Sequence, residues 1–165
     1  MERAPSYSVR IARDQFKFSC AHMTVFGESR KERLHGHNFT LALEVELRSI
    51  DFESLLDFGL LKAEMGKLCK EWKERTLLAG ENPHFNVVSE SGLELEFTLC
   101  GQRYVLPKED ALVLPIDNVT VEGLASFAAK ELRSRLSKIL EPVALSMQVI
   151  IEESPGQGAR VRLPL

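Results

Sequence analysis

The stretch HGHNFTLALEVEL, residues 35–47, is the most informative part of the chain because its polarity alternates. Its odd positions are His35, His37 and then five apolar residues, whereas its even positions are small or polar. This period of two predicts a β-strand with one buried face and one solvated face. Both histidines begin the buried face, where residues two apart lie roughly 7 Å from each other. Two imidazoles at that spacing are able to bind one metal ion.

A second alternating segment lies just upstream and also ends in a histidine. The residues of its apolar parity are Phe16, Phe18, Cys20 and His22. Farther upstream, Tyr7, Val9 and Ile11 alternate on the opposite parity. The change of phase around Arg13 and Asp14 predicts a β-bulge between the two runs.

An antiparallel pairing of these two segments, joined by residues 23–34, would bring His22 beside His35 and His37. Three neutral imidazoles with an open fourth position are typical of a catalytic zinc site. A lone histidine at a strand end would be ordinary, but three of the chain's four histidines converge here. The pattern therefore favours a Zn²⁺ site formed by His22, His35 and His37.

The composition is that of an ordinary globular protein. With 165 residues, 44% hydrophobic and 27% charged, we expect a single domain spanning residues 1–165. A net charge of −3 gives no support to a nucleic-acid or membrane-surface role. The first residues lack the apolar core of a signal peptide, and the three cysteines contain no CxxC pair. We therefore expect a cytoplasmic protein with reduced thiols.

The rest of the chain predicts an α+β fold. One helix is expected from Asp57, as its N-cap, to about Arg75, and another from Thr120 to about Leu140. Residues 76–84 have the composition of a loop, and residues 85–88, 93–99 and 103–106 predict an inserted β-hairpin or meander within an insertion of about 79–115. The C-terminal strand ends its apolar parity at Glu153, whereas Glu152 points the other way, and a last strand covers 159–163. We expect a four-stranded antiparallel sheet with two helices on one face.

Five short stretches of the sequence resemble those of a known protein family. They are FSCAHM (18–23), LHGHNFTLALEVEL (34–47), LLDFGLLK (55–62), the helix start at Thr120–Glu122, and VIIEESP (149–155). In this order they resemble the 6-pyruvoyl-tetrahydropterin and 6-carboxytetrahydropterin synthases, apart from residues around 79–115. The resemblance implies the tunnelling fold, in which subunit sheets join into a barrel, and a homo-oligomer that is a trimer or a hexamer.

The resemblance also implies roles for individual residues. His22, His35 and His37 fall on the family's zinc ligands, and Thr120 falls where a helix start helps to hold the pterin. Glu153 falls on the glutamate that anchors the pterin ring, which makes chemical sense because a carboxylate presents two acceptors to two parallel donors. The implied substrate is 7,8-dihydroneopterin triphosphate.

The chain departs from the family at the catalytic positions. The cysteine expected before the HGH segment is replaced by Lys31, or by Ser29 in the longer spacing. The Asp-His pair expected after the first helix falls on Lys73 and Glu74. Cys20 lies off the nucleophile position and is better explained as a buried small residue.

The remaining candidates for acid–base catalysis are Lys31, Glu32 and Glu74, with Glu28 as a further option. Each is also explained by a charged, solvated loop (GESRKER, 27–33) or helix end. Some family members use a glutamate in place of the cysteine and form a hydroxymethylpterin product. We therefore expect a zinc-dependent pterin-side-chain lyase, with the family product or an altered one, in queuosine, folate or biopterin synthesis. The alternatives are a diverged paralogue that binds zinc and a pterin or purine-like ring without that activity, or a purely structural assembly protein.

Overall fold

The computed structural model describes residues 6–165, in which a mixed seven-stranded sheet packs one face against two α-helices. The strands are β1 (Tyr7–Ile11), β2 (Lys17–His22), β3 (Val25–Gly27), β4 (Arg30–Lys31), β5 (His35–Leu47), β6 (Arg75–Ala79), β7 (Phe85–Glu90), β8 (Glu94–Leu99), β9 (Gln102–Pro107), β10 (Ala111–Leu114), β11 (Ala144–Ser154) and β12 (Gln157–Pro164). The helices are α1 (Phe58–Trp72) and α2 (Val121–Leu140), with short 3-10 turns at Phe52–Ser54 and Lys108–Asp110.

Strand β5 is the centre of the sheet. Along one edge it pairs antiparallel with β2 and then with β1, and along the other edge it pairs with β11, which pairs with β12. The register places His22 opposite His35 and Cys20 opposite His37. The expected pairing of the two histidine strands is therefore confirmed.

The expected β-bulge between β1 and β2 is a larger excursion of the chain. Ile11 pairs with Leu43 and Lys17 pairs with Thr40, so residues 12–16 oppose residues 41 and 42 of β5. The excursion is closed by a turn, in which the Phe16 amide donates to the Arg13 carbonyl at 3.0 Å. A β-bulge adds one residue to a strand, and the excursion at residues 12–16 is too long to be a β-bulge.

The expectation of a four-stranded antiparallel sheet was wrong, because two parallel strands extend it. Residues 75–79, which lie mainly in the expected loop, form β6, which runs parallel to both β2 and β10. Leu77, Leu78 and Ala79 are all buried. Strands in parallel sheets are covered on both faces and so lose the alternation that would identify them in a sequence.

Residues 85–107, within the expected insertion, form a separate three-stranded antiparallel sheet, β7-β8-β9, which we call the inserted sheet; the alternating residues predicted these strands. It has its own small core, whose buried members are Met23, Val25, Leu78, Phe85, Leu95, Phe97, Leu99 and Ala111. Met23 and Val25 belong to the loop between the two histidine strands. The inserted sheet therefore packs against the segment that connects β2 to β5.

Both helices begin at the expected caps. The Gly59 amide donates to Asp57 Oδ1 at 2.7 Å, and the Gly123 amide donates to Thr120 Oγ1 at 3.1 Å. Helix α1 ends at Trp72, three residues before the expected end, and Glu74 follows with a positive φ of 60°. Within residues 6–165, neither helix is long and apolar enough to cross a membrane.

Candidate metal centre and its surroundings

Three histidines converge where β2 ends and β5 begins. One ring nitrogen from each of His22, His35 and His37 lies within 4.8 Å of those of the other two. The ring centroids of His22 lie 4.6 Å from His35 and 5.4 Å from His37. The residues thus form a compact set of nitrogen donors, as the strand parity predicted.

Backbone carbonyls fix the tautomers of two of these rings. His22 Nδ1 lies 2.8 Å from the Val119 oxygen, and His35 Nδ1 lies 2.9 Å from the Arg33 oxygen. A carbonyl oxygen accepts a hydrogen bond, so each Nδ1 carries the hydrogen and each Nε2 keeps its lone pair. Metal-binding histidines are held in this way, with the second nitrogen donating to a carbonyl or carboxylate.

His22 has the properties of a metal ligand. It is 3% exposed, and its Nε2 has no hydrogen-bond partner among residues 6–165. Burial lowers the pKa of His22, and the adjacent His35 and His37 lower it further, against the Val119 hydrogen bond. A neutral imidazole with a buried, unpaired lone pair fits a cation such as Zn²⁺.

The residues just before helix α2 contact His22. Val119 supplies the carbonyl that orients the ring, and Thr120 is the N-cap residue immediately after it. Asn118 binds the connecting segment, because its Oδ1 accepts from the Val25 amide at 3.0 Å and its Nδ2 donates to the Val25 carbonyl at 2.8 Å. Thr120 is therefore placed beside the histidine cluster by the adjacent backbone.

Glu32 is the carboxylate that lies against the cluster. Its Oε2 is 4.0 Å from His35 Nε2 and accepts a hydrogen bond from the Thr24 amide at 3.1 Å. Partial burial opposes its ionisation, but the Thr24 hydrogen bonds and the two nearby histidines outweigh burial and lower the pKa of Glu32. Its ionised form is a hydrogen-bond and proton acceptor beside the donor set.

Lys31, the residue before it, points toward the inserted sheet. Its Nζ lies 5.1 Å from the centre of the Tyr104 ring and donates to the Glu32 carbonyl at 3.1 Å. A carbonyl oxygen and an aromatic face both attract the ammonium form. The Nζ group of Lys31 therefore connects the Tyr104 ring to the backbone of Glu32.

Glu74 lies between the end of α1 and the start of β6. It lines a cavity of about 490 Å³ together with Ser19, Cys20, Ala21, Gly36, His37, Asn38, Arg75, Thr76 and Asp110. Its side chain is 72% exposed and lies 3.1 Å from Lys73 Nζ. Cys20, on the same cavity wall, is 5% exposed, which agrees with the expected buried role.

Glu153 and Glu152 occupy the end of β11, where the register with β12 shifts. Glu153 Oε1 accepts a hydrogen bond from Gln157 Nε2 at 2.5 Å, and Glu152 pairs with Thr40 of β5. Both glutamates are half-buried. Burial therefore does not separate Glu153 from Glu152, although the alternation predicted that they point to opposite faces. The end of β11 meets β5 at Thr40, three residues after His37.

The sequence model for 6-pyruvoyl tetrahydropterin synthase matches residues 10–164. The chain belongs to this family. A Methanocaldococcus jannaschii protein, provisionally named a 6-carboxy-5,6,7,8-tetrahydropterin synthase, is 31% identical over 150 residues, which cover 88% of this chain and 89% of that protein.

Solved structures of the same family share the fold. The 6-pyruvoyl tetrahydropterin synthase of Plasmodium vivax is 25% identical, with a TM-score of 0.88 over 98% of this chain and 100% of that chain. The Plasmodium falciparum enzyme is 23% identical, with a TM-score of 0.87 over 97% and 99%. The P. vivax protein was also solved as variants in which a catalytic glutamate is replaced by alanine or by cysteine.

Sequence reasoning did not find three contributors to the surroundings of the cluster. Val119 contacts the His22 ring through its own backbone carbonyl, and the Asn118 side chain binds the backbone of Val25, so neither contact leaves a residue pattern. Tyr104 lies in the insertion, where alternation indicated strands but not what they contact. The N-cap at Thr120 was the available signal that this segment abuts a helix start.

Proposed function

We propose that this protein is a zinc-dependent lyase that acts on the side chain of 7,8-dihydroneopterin triphosphate. The observation that carries the proposal is the convergence of three imidazoles with Glu32 Oε2 at 4.0 Å from His35 Nε2. The set combines donors for a metal with an adjacent proton acceptor, which are the two parts that proton removal from a polyol side chain requires. Membership of the pterin synthase family supports the substrate class.

The residues present fit a zinc ion. His22 and His35 would bind it through Nε2, since their Nδ1 atoms donate to carbonyls, and His37 would supply the third nitrogen. Bound zinc acts as a Lewis acid for substrate oxygens and favours their deprotonated form. The orphaned lone pair of His22 Nε2 is the main structural support for this ligand set.

Glu32 is the group that we assign to proton transfer. It would accept the proton from the hydroxyl on the second side-chain carbon, so that the bond between the two hydroxyl-bearing carbons breaks. The electron pair of that bond passes into the pterin ring, and a proton then returns to the ring-attached carbon. The products are a hydroxymethylpterin and a two-carbon aldehyde that keeps the triphosphate. The catalytic glutamate of the P. vivax synthase supports a carboxylate in this role.

The other candidates take different places in this scheme. Glu153 would anchor the pterin ring with its two carboxylate oxygens, and Thr120 would help to hold it. Glu74 would lie at the cavity next to His37. Lys31 would remain a cation. The chain would work as a homo-oligomer whose sheets join, as the tunnelling fold implies.

The alternative function is a paralogue that binds zinc and a pterin or purine-like ring without turnover. Three replacements favour it, namely Lys31 at the family's cysteine position and Lys73 and Glu74 at its Asp-His pair. Together they remove the nucleophile and the pair that would activate it. This alternative predicts binding of the ring with no change in the mass of the substrate.

Mass analysis of the products distinguishes these functions. Zinc-loaded wild type is incubated with 7,8-dihydroneopterin triphosphate beside Glu32→Gln, Glu74→Gln, Lys31→Cys and an exposed control, Glu141→Gln. We expect a hydroxymethylpterin from wild type and the control, and a loss of about 100-fold or more in Glu32→Gln. Formation of a carboxy or pyruvoyl product independent of Glu32 would contradict the assignment, and unchanged substrate with measurable binding would support the paralogue.

A further inference from the structure

We infer that the inserted sheet reaches the candidate site through Tyr104 and Lys31, which act as positioning residues for Glu32. The inference rests on the proposed role of Glu32 and adds a function for the insertion. The contacts run from the core of the inserted sheet, through one aromatic ring and one ammonium group, to the backbone of Glu32.

Aromatic packing within the inserted sheet holds the Tyr104 ring in place. The ring stacks on Phe97, with ring centroids 5.1 Å apart and planes at 11°, and Phe97 is fully buried in the core of the inserted sheet. Phe85 packs against the same Phe97 ring at 5.4 Å. The Tyr104 hydroxyl donates to Gln102 Oε1 at 3.1 Å. Stacked rings of this kind hold a defined orientation, so Tyr104 presents a fixed aromatic face.

Lys31 connects that face to Glu32. Its Nζ lies 5.1 Å from the centre of the Tyr104 ring, within the distance of a cation–π contact. The same Nζ donates to the carbonyl oxygen of Glu32 at 3.1 Å. A flexible lysine side chain held at both contacts restrains the peptide group that follows Glu32.

Thr24 restrains the remaining polar groups of Glu32. The Glu32 amide donates to the Thr24 carbonyl at 2.9 Å, and the Thr24 amide donates to Glu32 Oε2 at 3.1 Å. With Lys31 on its carbonyl, Glu32 is held at its backbone nitrogen, its backbone oxygen and its carboxylate. This arrangement holds the carboxylate beside His35.

The hairpin that carries these residues needs such support. Strands β3 and β4 have three and two residues, and an isolated two-stranded hairpin is marginally stable in water. Cys100 Sγ of the inserted sheet contacts the Gly27 carbonyl at 3.4 Å, and Asn118 holds Val25 from the other side. The insertion and the start of α2 therefore hold the hairpin between them.

Kinetics test the coupling through paired substitutions in the zinc-loaded protein. Tyr104→Leu and Lys31→Met remove the contact, whereas Tyr104→Phe and Lys31→Arg keep the ring and the cation. We expect Tyr104→Leu and Lys31→Met to lower kcat about tenfold with KM within about twofold, since misplaced groups lose rate more than binding. Tyr104→Phe and Lys31→Arg should keep most of the wild-type kcat. Val105→Ala, on the same strand, is the control.

A double-substitution cycle separates positioning from a general loss of stability. In a Glu32→Gln background, Tyr104→Leu should cause no further loss of kcat, because its effect acts through Glu32. Additive losses in the double variant would overturn the inference. So would equal losses in Tyr104→Leu and Val105→Ala.

Hydrogen exchange gives a readout that does not depend on activity. Peptides covering residues 23–33 should exchange faster in Tyr104→Leu than in wild type, Tyr104→Phe or Val105→Ala, because the Thr24 and Glu32 amides lose their support. Unchanged exchange would overturn the inference even if Glu32→Gln is inactive. Full activity of Glu32→Gln would instead refute the proposed role of Glu32, and exchange alone would then decide whether Tyr104 orders the hairpin.

Discussion

His22 on β2 donates a hydrogen bond from Nδ1 to the carbonyl oxygen of Val119, 97 residues later in the chain, at 2.8 Å. This contact turns the Nε2 lone pair toward His35 and His37, where it has no partner among residues 6–165. Val119, two residues before helix α2, thus decides which nitrogen of His22 faces the cluster. A fold that only paired β2 with β5 would leave that tautomer undetermined.

We expect one zinc per chain, held by His22, His35 and His37. The double variant His35→Ala/His37→Ala should lose stoichiometric zinc because one imidazole alone binds the ion weakly. Metal analysis after dialysis measures this. His84→Ala is the matched control, since the fourth histidine lies outside the cluster and should leave the zinc content unchanged. Stoichiometric zinc in the double variant would refute the ligand set.

Gly123 tests the link between helix α2 and the cluster. A Cβ at this position would lie 2.5 Å from the Asn118 carbonyl oxygen, so Gly123→Ala must displace the segment that carries Asn118 and Val119. Alanine is favoured over glycine within a helix by about 1 kcal/mol, yet we expect a lower Tm and weaker zinc binding. Thermal unfolding and zinc titration measure these effects.

The control for Gly123 is Gly66 in helix α1. A Cβ at Gly66 would meet no atom within 4 Å, so Gly66→Ala should keep zinc binding and gain up to about 1 kcal/mol of stability. If both alanine variants were equally stable and bound zinc equally well, the proposed displacement at Asn118 would be wrong.

The sequence was sufficient for the parts of the fold that alternate or carry caps. The period of two in residues 35–47 identified β5, and the parity of His22 identified the pairing that forms the cluster. Thr120 and Asp57 identified both helix starts. The parallel strand β6 was missed because Leu77 and its neighbours are buried on both faces, so no alternation remains. The sequence did not distinguish Glu32 from its charged neighbours as a candidate base, because its contacts with Thr24 and Lys31 appear only in the structure.

The thiols of Cys69 and Cys20 should be chemically inert in the folded protein. Burial raises the pKa of Cys69 to about 12. Its contribution to the free energy of unfolding is therefore fully present below about pH 9 and is lost as pH rises toward 12. Cys20 is 5% exposed and equally shielded from reagents. Alkylation at pH 8 should modify the half-buried Cys100 first. Rapid native-state labelling of Cys20 would show that its strand end opens.

Glu153, rather than Glu152, should anchor a bound pterin ring. Glu153→Gln replaces one carboxylate oxygen by an amide donor, which weakens pairing with two parallel N–H groups, and affinity should fall several-fold or more. Glu152→Gln is the matched neighbour and should bind as wild type does. Calorimetry with a dihydropterin measures both. Equal affinity for wild type and Glu153→Gln would contradict the assignment.

We expect the protein to form a trimer or a hexamer in solution. Strand β12 is the last in the strand order, and an open strand edge favours pairing with another chain. Apolar side chains are also exposed just before α1, where Ile50, Phe52 and Leu55 are 60%, 86% and 70% exposed in the single chain. Apolar residues grouped at a surface in this way are typical of a protein interface.

Light scattering at micromolar concentration tests the assembly, and substitutions test the surface. The wild-type mass should be three or six times the chain mass of 18.6 kDa. Phe52→Asp should lower that mass because a charge buried in an apolar interface is costly. Leu93→Asp, at an 82% exposed position in the inserted sheet, is the control and should leave the mass unchanged. A monomeric wild type would refute the assembly, and equal masses for wild type and Phe52→Asp would place the interface elsewhere.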